Sequence, residues 1–265
     1  MVLNLLFLIS AVAGGCGICF GVGMHPLWLL LLIPGVFLGC VLIYLLSILL
    51  ISLVLPKGEP KKSSAFCRLN IRLFLDWLIR ILRVRLTITG EEQIPEGPCV
   101  IVSNHRSAFD PMSYLARTRR HKLLYISKES NFHAPIAGPF IRRAAFLPID
   151  RENGMRALRT LKNAADRMKA EGVDFGIYPE GTRSRTGELL EFKTGAFYLA
   201  KKAEAPIVVM VTRGTEKIGK KIPLRPVYAR MEILTVIDRE TVRNSTLEEL
   251  AAMTRERIEN ALKES

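Results

Sequence analysis

The 265-residue sequence predicts an α/β domain, its sheet mostly buried under helices, set behind an N-terminal apolar helical hairpin. Three observations carry this reading. Residues 1–56 contain no Lys, Arg, Asp or Glu, so the whole formal charge of +13 lies on residues 57–265. Beyond them, short apolar runs alternate with segments of helical periodicity, the pattern of a sheet covered on both faces. Polar loops with Gly and Pro separate those runs.

The apolar segment comes first. Residues 2–22 and 27–55 each exceed the ~20 residues a helix needs to cross a bilayer, and Gly23, Met24, His25 and Pro26 form the turn between them. A cleaved signal peptide would want a basic start, which is missing. Lys57, Lys61, Lys62 and Arg68 follow, so the positive-inside bias puts this end, and the domain behind it, on the cytoplasmic side. Gly14, Gly15, Gly17, Gly21, Gly35 and Gly39 are expected to let the two helices approach closely. Cys16 and Cys19 form a lone Cys-x-x-C without partners at zinc-ligand spacing, and five cysteines give no disulfide framework. In residues 65–85, Arg68, Arg72, Asp76, Arg80 and Arg83 recur on one helix face of an otherwise apolar segment. Such a stripe suits an anionic membrane surface, or a helix laid on the domain with its arginines in water. The expected division is a membrane helical hairpin at 1–56, a basic amphipathic interfacial connector at 57–85 and a catalytic domain at 86–265.

Within that domain, residues 84–89, 99–103, 173–178, 206–211 and 230–237 read as strands. Residues 153–171 place Met155, Leu158, Leu161, Ala165 and Met168 at helical spacing and close on Gly172; residues 194–203 are also helical. Asp110 is positioned to cap a helix with Pro111 in its first turn. Ser245 and Glu248 are expected to form a capping box for a final helix whose Leu247, Leu250, Ile258 and Leu262 face inward. Nucleotide-binding glycine loops and the Gly-x-Ser-x-Gly nucleophile turn are absent from the sequence.

His105 and Asp110 carry the chemistry. They lie five residues apart on a loop leaving a strand and entering a helix, where catalytic groups sit in open α/β sheets. That spacing can bring the carboxylate to one imidazole nitrogen, fixing the tautomer and leaving the other nitrogen basic, two thirds of a Ser-His-Asp triad. The missing nucleophile is then a substrate alcohol attacking a thioester. Residues 178–184, Tyr-Pro-Glu-Gly-Thr-Arg-Ser, gather a glycine, hydroxyls and Arg183 at a strand end, where a planar guanidinium matches a phosphate. Residues 145–151 end on a second arginine, Arg151. Charge alone also fits a non-catalytic, membrane-tethered binder of anionic lipid or nucleic acid. The His105–Asp110 pair and the block at 180–183 argue against that, and no nucleic-acid partner is expected. A metallohydrolase lacks ligands, since His121 and His133 have no Cys or carboxylate at useful spacing.

These residues resemble the glycerolipid acyltransferases, the family of the 1-acyl-sn-glycerol-3-phosphate acyltransferases, with four ordered blocks. The first, His-x-x-x-x-Asp, is matched by His105 and Asp110, with Asn104 ahead of them as expected. The third, Pro-Glu-Gly-Thr-Arg-Ser, is matched in full at 179–184, about 70 residues on. The second, Gly-x-x-Phe-x-x-Arg, keeps Arg151 but has Ala145 and Pro148 in place of Gly and Phe. The fourth, Val-Pro-Ile-Val-Pro-Val, reads Ala-Pro-Ile-Val-Val-Met at 205–210 and keeps only the first proline. The resemblance spans residues 86–237. It implies a mixed sheet flanked by helices, His105 as general base and Asp110 as its orienting partner. It implies Arg151, Glu180, Gly181, Thr182 and Arg183 around the acceptor phosphate. The implied reaction moves a fatty acyl group from acyl-CoA or acyl-carrier protein to the 2-hydroxyl of lysophosphatidic acid, giving phosphatidic acid in phospholipid biosynthesis, without metal or other cofactor. Another lysophospholipid or a lyso-aminolipid is the alternative acceptor. The implied partners are membrane lipid and the acyl donor with its carrier.

Overall fold

A computed structural model of the chain describes residues 2–220 and 225–264. Helices α1 (Val2–Gly21) and α2 (Leu29–Val54) fold back on each other through a turn in which the His25 Nδ1 accepts the Leu27 N–H at 3.3 Å. The inner face of α1 is a ridge of every fourth residue, Leu3, Phe7, Ala11, Gly15 and Cys19, all buried. Phe7 meets Phe37 edge-on at 6.1 Å between centroids and Tyr44 at 5.7 Å. Only two of the six glycines serve the close approach. A Cβ on Gly14 would come within 3.3 Å of Val36, and one on Gly15 within 3.0 Å of Ile33, whereas Gly17, Gly21, Gly35 and Gly39 face open space. The outer surface stays apolar and exposed, with Leu30, Leu42, Leu53 and Val54 among its residues. Both helices are long and apolar enough to cross a bilayer.

Helix α3 (Ala65–Ile81) begins at Ser64, whose side chain accepts the Cys67 N–H. Its charged stripe is partly occupied by the domain. Arg72 donates to the Thr118 carbonyl at 2.7 Å, and Asp76 holds Arg80 and Arg117 at 2.9 and 2.7 Å. Arg83 lies beyond the helix end at a φ of +53° and so leaves the stripe. The apolar Phe66, Leu69 and Ile81 are what remain exposed.

Seven strands build the sheet: β1 (Val84–Thr89), β2 (Val100–Ser103), β3 (Leu123–Lys128), β4 (Leu147–Ile149), β5 (Asp174–Ile177), β6 (Ile207–Arg213) and β7 (Val227–Ile237). Their order is β1-β7-β6-β2-β5-β3-β4. Only β6 and β7 pair antiparallel, so the sheet is mixed and β2 to β6 all point the same way. β2, β5 and nearly all of β6 are buried, as continuous apolar runs are when both sheet faces are covered. Helices α4 (Phe109–Arg117), α5 (Ala137–Arg143), α6 (Gly154–Glu171), α7 (Gly195–Ala203), α8 (Arg239–Asn244) and α9 (Leu247–Lys263) flank it. α3 lies against α4 and α5, while α7 lies against α6 and α9.

Several local expectations shift. β3, α5 and β4 escape the sequence reading; α5 has seven residues and β4 three, too short for a period to show. α6 closes on Gly172, as expected, and Asn153, read as its first residue, is its N-cap. Its buried face is Leu161, Ala164, Ala165 and Met168, however, and Met155 and Leu158, in its first two turns, are 79% and 42% exposed. The capping box of α9 is Thr246 with Glu249, one residue later than expected. The Ser245 N–H is already committed to the Thr241 carbonyl that closes α8, at 3.0 Å.

Candidate active site

Because β2 to β6 run parallel, the segments leaving their carboxyl ends converge on one edge of the sheet. Open α/β sheets use this edge for ligands. His105 and Asp110 follow β2, Arg151 follows β4, and Glu180, Gly181, Thr182 and Arg183 follow β5.

Asp110 is fully buried. It does not cap α4 as its position suggested: Ala108 is the N-cap and makes no side-chain bond. The carboxylate turns back instead. Oδ2 accepts the N–H groups of Arg106 and Ser107 at 2.8 Å each, and the Thr215 hydroxyl donates to Oδ1. A carboxylate with these donors acts as an acceptor, so the 2.8 Å contact between His105 Nδ1 and Asp110 Oδ2 is an Nδ1–H donation. That leaves Nε2 as the basic nitrogen. Among the described residues, none bonds it, and the imidazole side chain is 13% exposed.

Glu180 is 3% exposed, and its place differs from the one implied by resemblance. Oε1 accepts the His105 N–H at 2.6 Å and Oε2 the Leu190 N–H at 3.0 Å. Burial raises its pKa above the ordinary carboxylate value, opposed by those two N–H donors. Both oxygens are thus held by backbone amides, one of them that of His105. From the other side, the Ser184 N–H donates to the His105 carbonyl at 2.9 Å.

Tyr178 supplies a wall that the sequence did not single out. Its ring stacks on the His105 imidazole at 4.1 Å between centroids and 16° between planes, and on Tyr125 at 5.9 Å. Gly176 makes this possible, since a Cβ there would sit 2.3 Å from the Tyr125 ring. Burial pushes both phenols' pKa values up, so the stack is neutral. Asn104 ties β2 to β6: its amide donates to the Thr212 carbonyl at 3.0 Å and its oxygen accepts the Thr212 N–H at 2.8 Å. Thr212 and Thr215 carried no sequence signal, because only the register of β6 brings them to the loop.

Arg151 and Arg183 both lie at the surface of this edge. Partial desolvation, then the positive charge of Arg183, lowers the Arg151 pKa, so the two guanidinium groups feel each other. Gly181 takes a φ of +68°, and the Lys193 side chain passes over it, 3.2 Å from where a Cβ would be. Thr182 is exposed between them. Three cations and a bare turn at one edge are suited to an anion of more than one charge.

The second block shows why a glycine would suit position 145. Ala145 has a φ of +68°. It follows α5, donates its N–H to the Arg142 carbonyl at 2.9 Å, and the Phe146 N–H reaches the Ile141 carbonyl at 3.0 Å. This is a Schellman closure, whose left-handed residue is usually glycine.

The geometry agrees with what the chain is similar to. Residues 85–213 match the family model described as Acyltransferase. The 1-acyl-sn-glycerol-3-phosphate acyltransferase beta of Homo sapiens is 34% identical over 142 residues, 52% of this chain and 51% of that protein. The 1-acyl-sn-glycerol-3-phosphate acyltransferase of Saccharomyces cerevisiae is 29% identical over 202 residues, 74% of this chain and 66% of that protein. The chain thus spans between half and two thirds of these relatives' length. The crystal structure of the 1-acyl-sn-glycerophosphate (LPA) acyltransferase PlsC from Thermotoga maritima shares the fold, with a TM-score of 0.65 over 84% of this chain and 88% of that one, at 24% identity. With its first and third blocks joined around one histidine, the chain is similar to the acyltransferase family through residues 85–213.

Proposed function

We propose that this chain moves a fatty acyl group from acyl-CoA or acyl-carrier protein to the 2-hydroxyl of lysophosphatidic acid, giving phosphatidic acid. The observation that carries the proposal is the Nδ1–H donation from His105 to the buried Asp110, with Nε2 left open. In this reading Nε2 takes the hydroxyl proton as the acceptor oxygen attacks the thioester carbonyl. As the tetrahedral intermediate collapses, the C–S bond breaks and the imidazolium returns its proton to the leaving thiolate. The products are an ester and a free thiol. Asp110 holds the imidazole through its Nδ1–H and stabilises the imidazolium. Arg151 and Arg183, with Thr182 and the Gly181 backbone, seat the acceptor phosphate; a thioester carbonyl has no charge to match them. The relatives' names, which speak of 1-acyl-sn-glycerol-3-phosphate, support this acceptor.

Residues 1–56 anchor the chain in this reading, residues 57–85 lie along the membrane surface and residues 86–265 carry the chemistry. Lys57, Lys61 and Lys62 put that chemistry on the cytoplasmic side. Lysophosphatidic acid, other lysophospholipids and an N-acyl amino acid, each offered with labelled acyl-CoA and labelled acyl-carrier protein, decide the matter by product mass. Labelled phosphatidic acid is the expected product. Labelled product from a lyso-aminolipid alone would move the acceptor, and none from any acceptor would refute transfer. Anchoring predicts that high salt leaves the full chain in the membrane pellet and detergent releases it.

A further inference from the structure

A cavity opens at the foot of the hairpin, where Ser52 and Lys57 meet Phe132 and His133 from the segment after β3. Its volume is about 140 Å³, several times the ~30 Å³ share of a water and well below the ~300–1,000 Å³ of a pocket that encloses a whole ligand. Lys57, His133 and Arg142 line it, and no acidic side chain does. Arg142 is fixed in place, donating to the Lys57 carbonyl at 3.1 Å and to the Phe132 carbonyl at 2.9 Å. Neither Lys57 nor Arg142 meets a carboxylate among the described residues. The opposite character begins at the rim. Leu53 and Val54 on α2 and Ile136 beyond His133 are exposed apolar side chains. A cationic floor under an apolar mouth, at the point where a membrane-length helix ends, matches an amphiphile with an anionic head.

We infer that this cavity holds the phosphate headgroup of an anionic bilayer phospholipid, bound as a resident lipid rather than as substrate, with its acyl chains along α2. The inference rests on the membrane seating of the hairpin but not on the acyl-transfer reading, because Lys57 and His133 are outside the His105 site. Its role is to fix the height at which the catalytic edge meets the membrane.

The full chain in neutral detergent, titrated with phosphatidylglycerol and phosphatidylcholine and read by native mass spectrometry, tests it. One phosphatidylglycerol should be retained in preference to phosphatidylcholine, and millimolar inorganic phosphate should not displace it. Replacing both Lys57→Ala and His133→Ala should weaken retention about tenfold, from the loss of one surface cation and one imidazole hydrogen-bonding group. Lys57→Glu should weaken it further than Lys57→Ala, while Arg183→Lys should leave it unchanged. Both replaced side chains are exposed, and thermal melting confirms that the variants fold. Acyl transfer to lysophosphatidic acid in detergent should persist in the double variant, which separates this site from the catalytic one. Equal retention by the double variant would overturn the inference. So would loss of lipid in Arg183→Lys, which would locate the lipid in the active site, or displacement by inorganic phosphate, which would make this a free-anion site.

Discussion

Asp110 accepts four hydrogen bonds and Glu180 two, both out of contact with bulk water. On the same sheet edge, Arg151 and Arg183 stand at the surface, exposed. The contrast divides the labour of the site. A base must present one nitrogen in one direction, so the groups around His105 are locked by backbone amides before any substrate arrives. A phosphate is a large, symmetric charge that tolerates several approaches, so its partners can stay solvated and close on it when it binds.

That division can be broken most sharply at its rigid half. His105→Ala should lower kcat/KM about 10²–10⁴-fold, the usual worth of a general base, with thermal melting unchanged. Asp110→Asn should fall in the same range, because an amide presents the wrong partner to the Nδ1–H. A folded His105→Ala chain that keeps a tenth of the activity would exclude His105 as the base. Glu180→Gln tests whether the carboxylate serves the histidine or the acceptor. Gln offers one oxygen for two N–H groups, leaving a buried donor short at about 1–3 kcal/mol. The expected result is a kcat about tenfold lower with KM for lysophosphatidic acid nearly unchanged. A raised KM with kcat intact would instead restore Glu180 to the acceptor.

The soft half should answer differently. Arg183→Lys keeps the charge and loses the planar fork, so KM for the acceptor should rise about tenfold while KM for the acyl donor holds. Arg151→Lys should do the same by about threefold. Initial-rate measurements varying each substrate separate the two. If only the acyl-CoA reaction weakens, and a thioester without the nucleotide is spared, the arginines bind the donor. The smallest effect belongs to Ala145→Gly. A left-handed conformation strains an L-residue by about 1–2 kcal/mol, and the extra freedom of glycine in the unfolded chain returns part of that. A net gain of about 0.5–1 kcal/mol should appear as a melting rise of about 2–4 °C with kcat unchanged. A melting fall would mean that the lost methyl contacts matter more than the strain.

The rigid half was the more legible in sequence, though only in part. The His105–Asp110 spacing and the block at 179–184 announce a strand-end site because each is local, a handful of residues forming one loop. Thr215, Thr212 and Tyr178 were invisible for the opposite reason. Thr212 reaches Asn104, Thr215 reaches Asp110 and Tyr178 reaches His105 through the register of β6 on β2 and β5 on β2, which no window of one strand encodes. The capping residues mark a second limit. Ser245 and Thr246 can each cap and Glu248 and Glu249 can each reciprocate, so the sequence allows two frames. The closure of α8 on Ser245 selects one. Glu180 marks a third: a motif name says that a residue is needed, while its two hydrogen bonds say what for.

His105 is gripped at both ends of its own peptide by the segment that follows β5, through Glu180 on the N–H and Ser184 on the carbonyl. Its amide proton can therefore exchange with solvent only when that segment lifts away, and the exchange rate of one residue becomes a clock for how often the site comes apart. A chain emerging from the ribosome carries its histidine some 75 residues ahead of the clamp. Until β5 and its loop have been made and docked, the base hangs on an untethered loop. On the acyl-transfer reading, the base is therefore tethered only once the sheet is assembled.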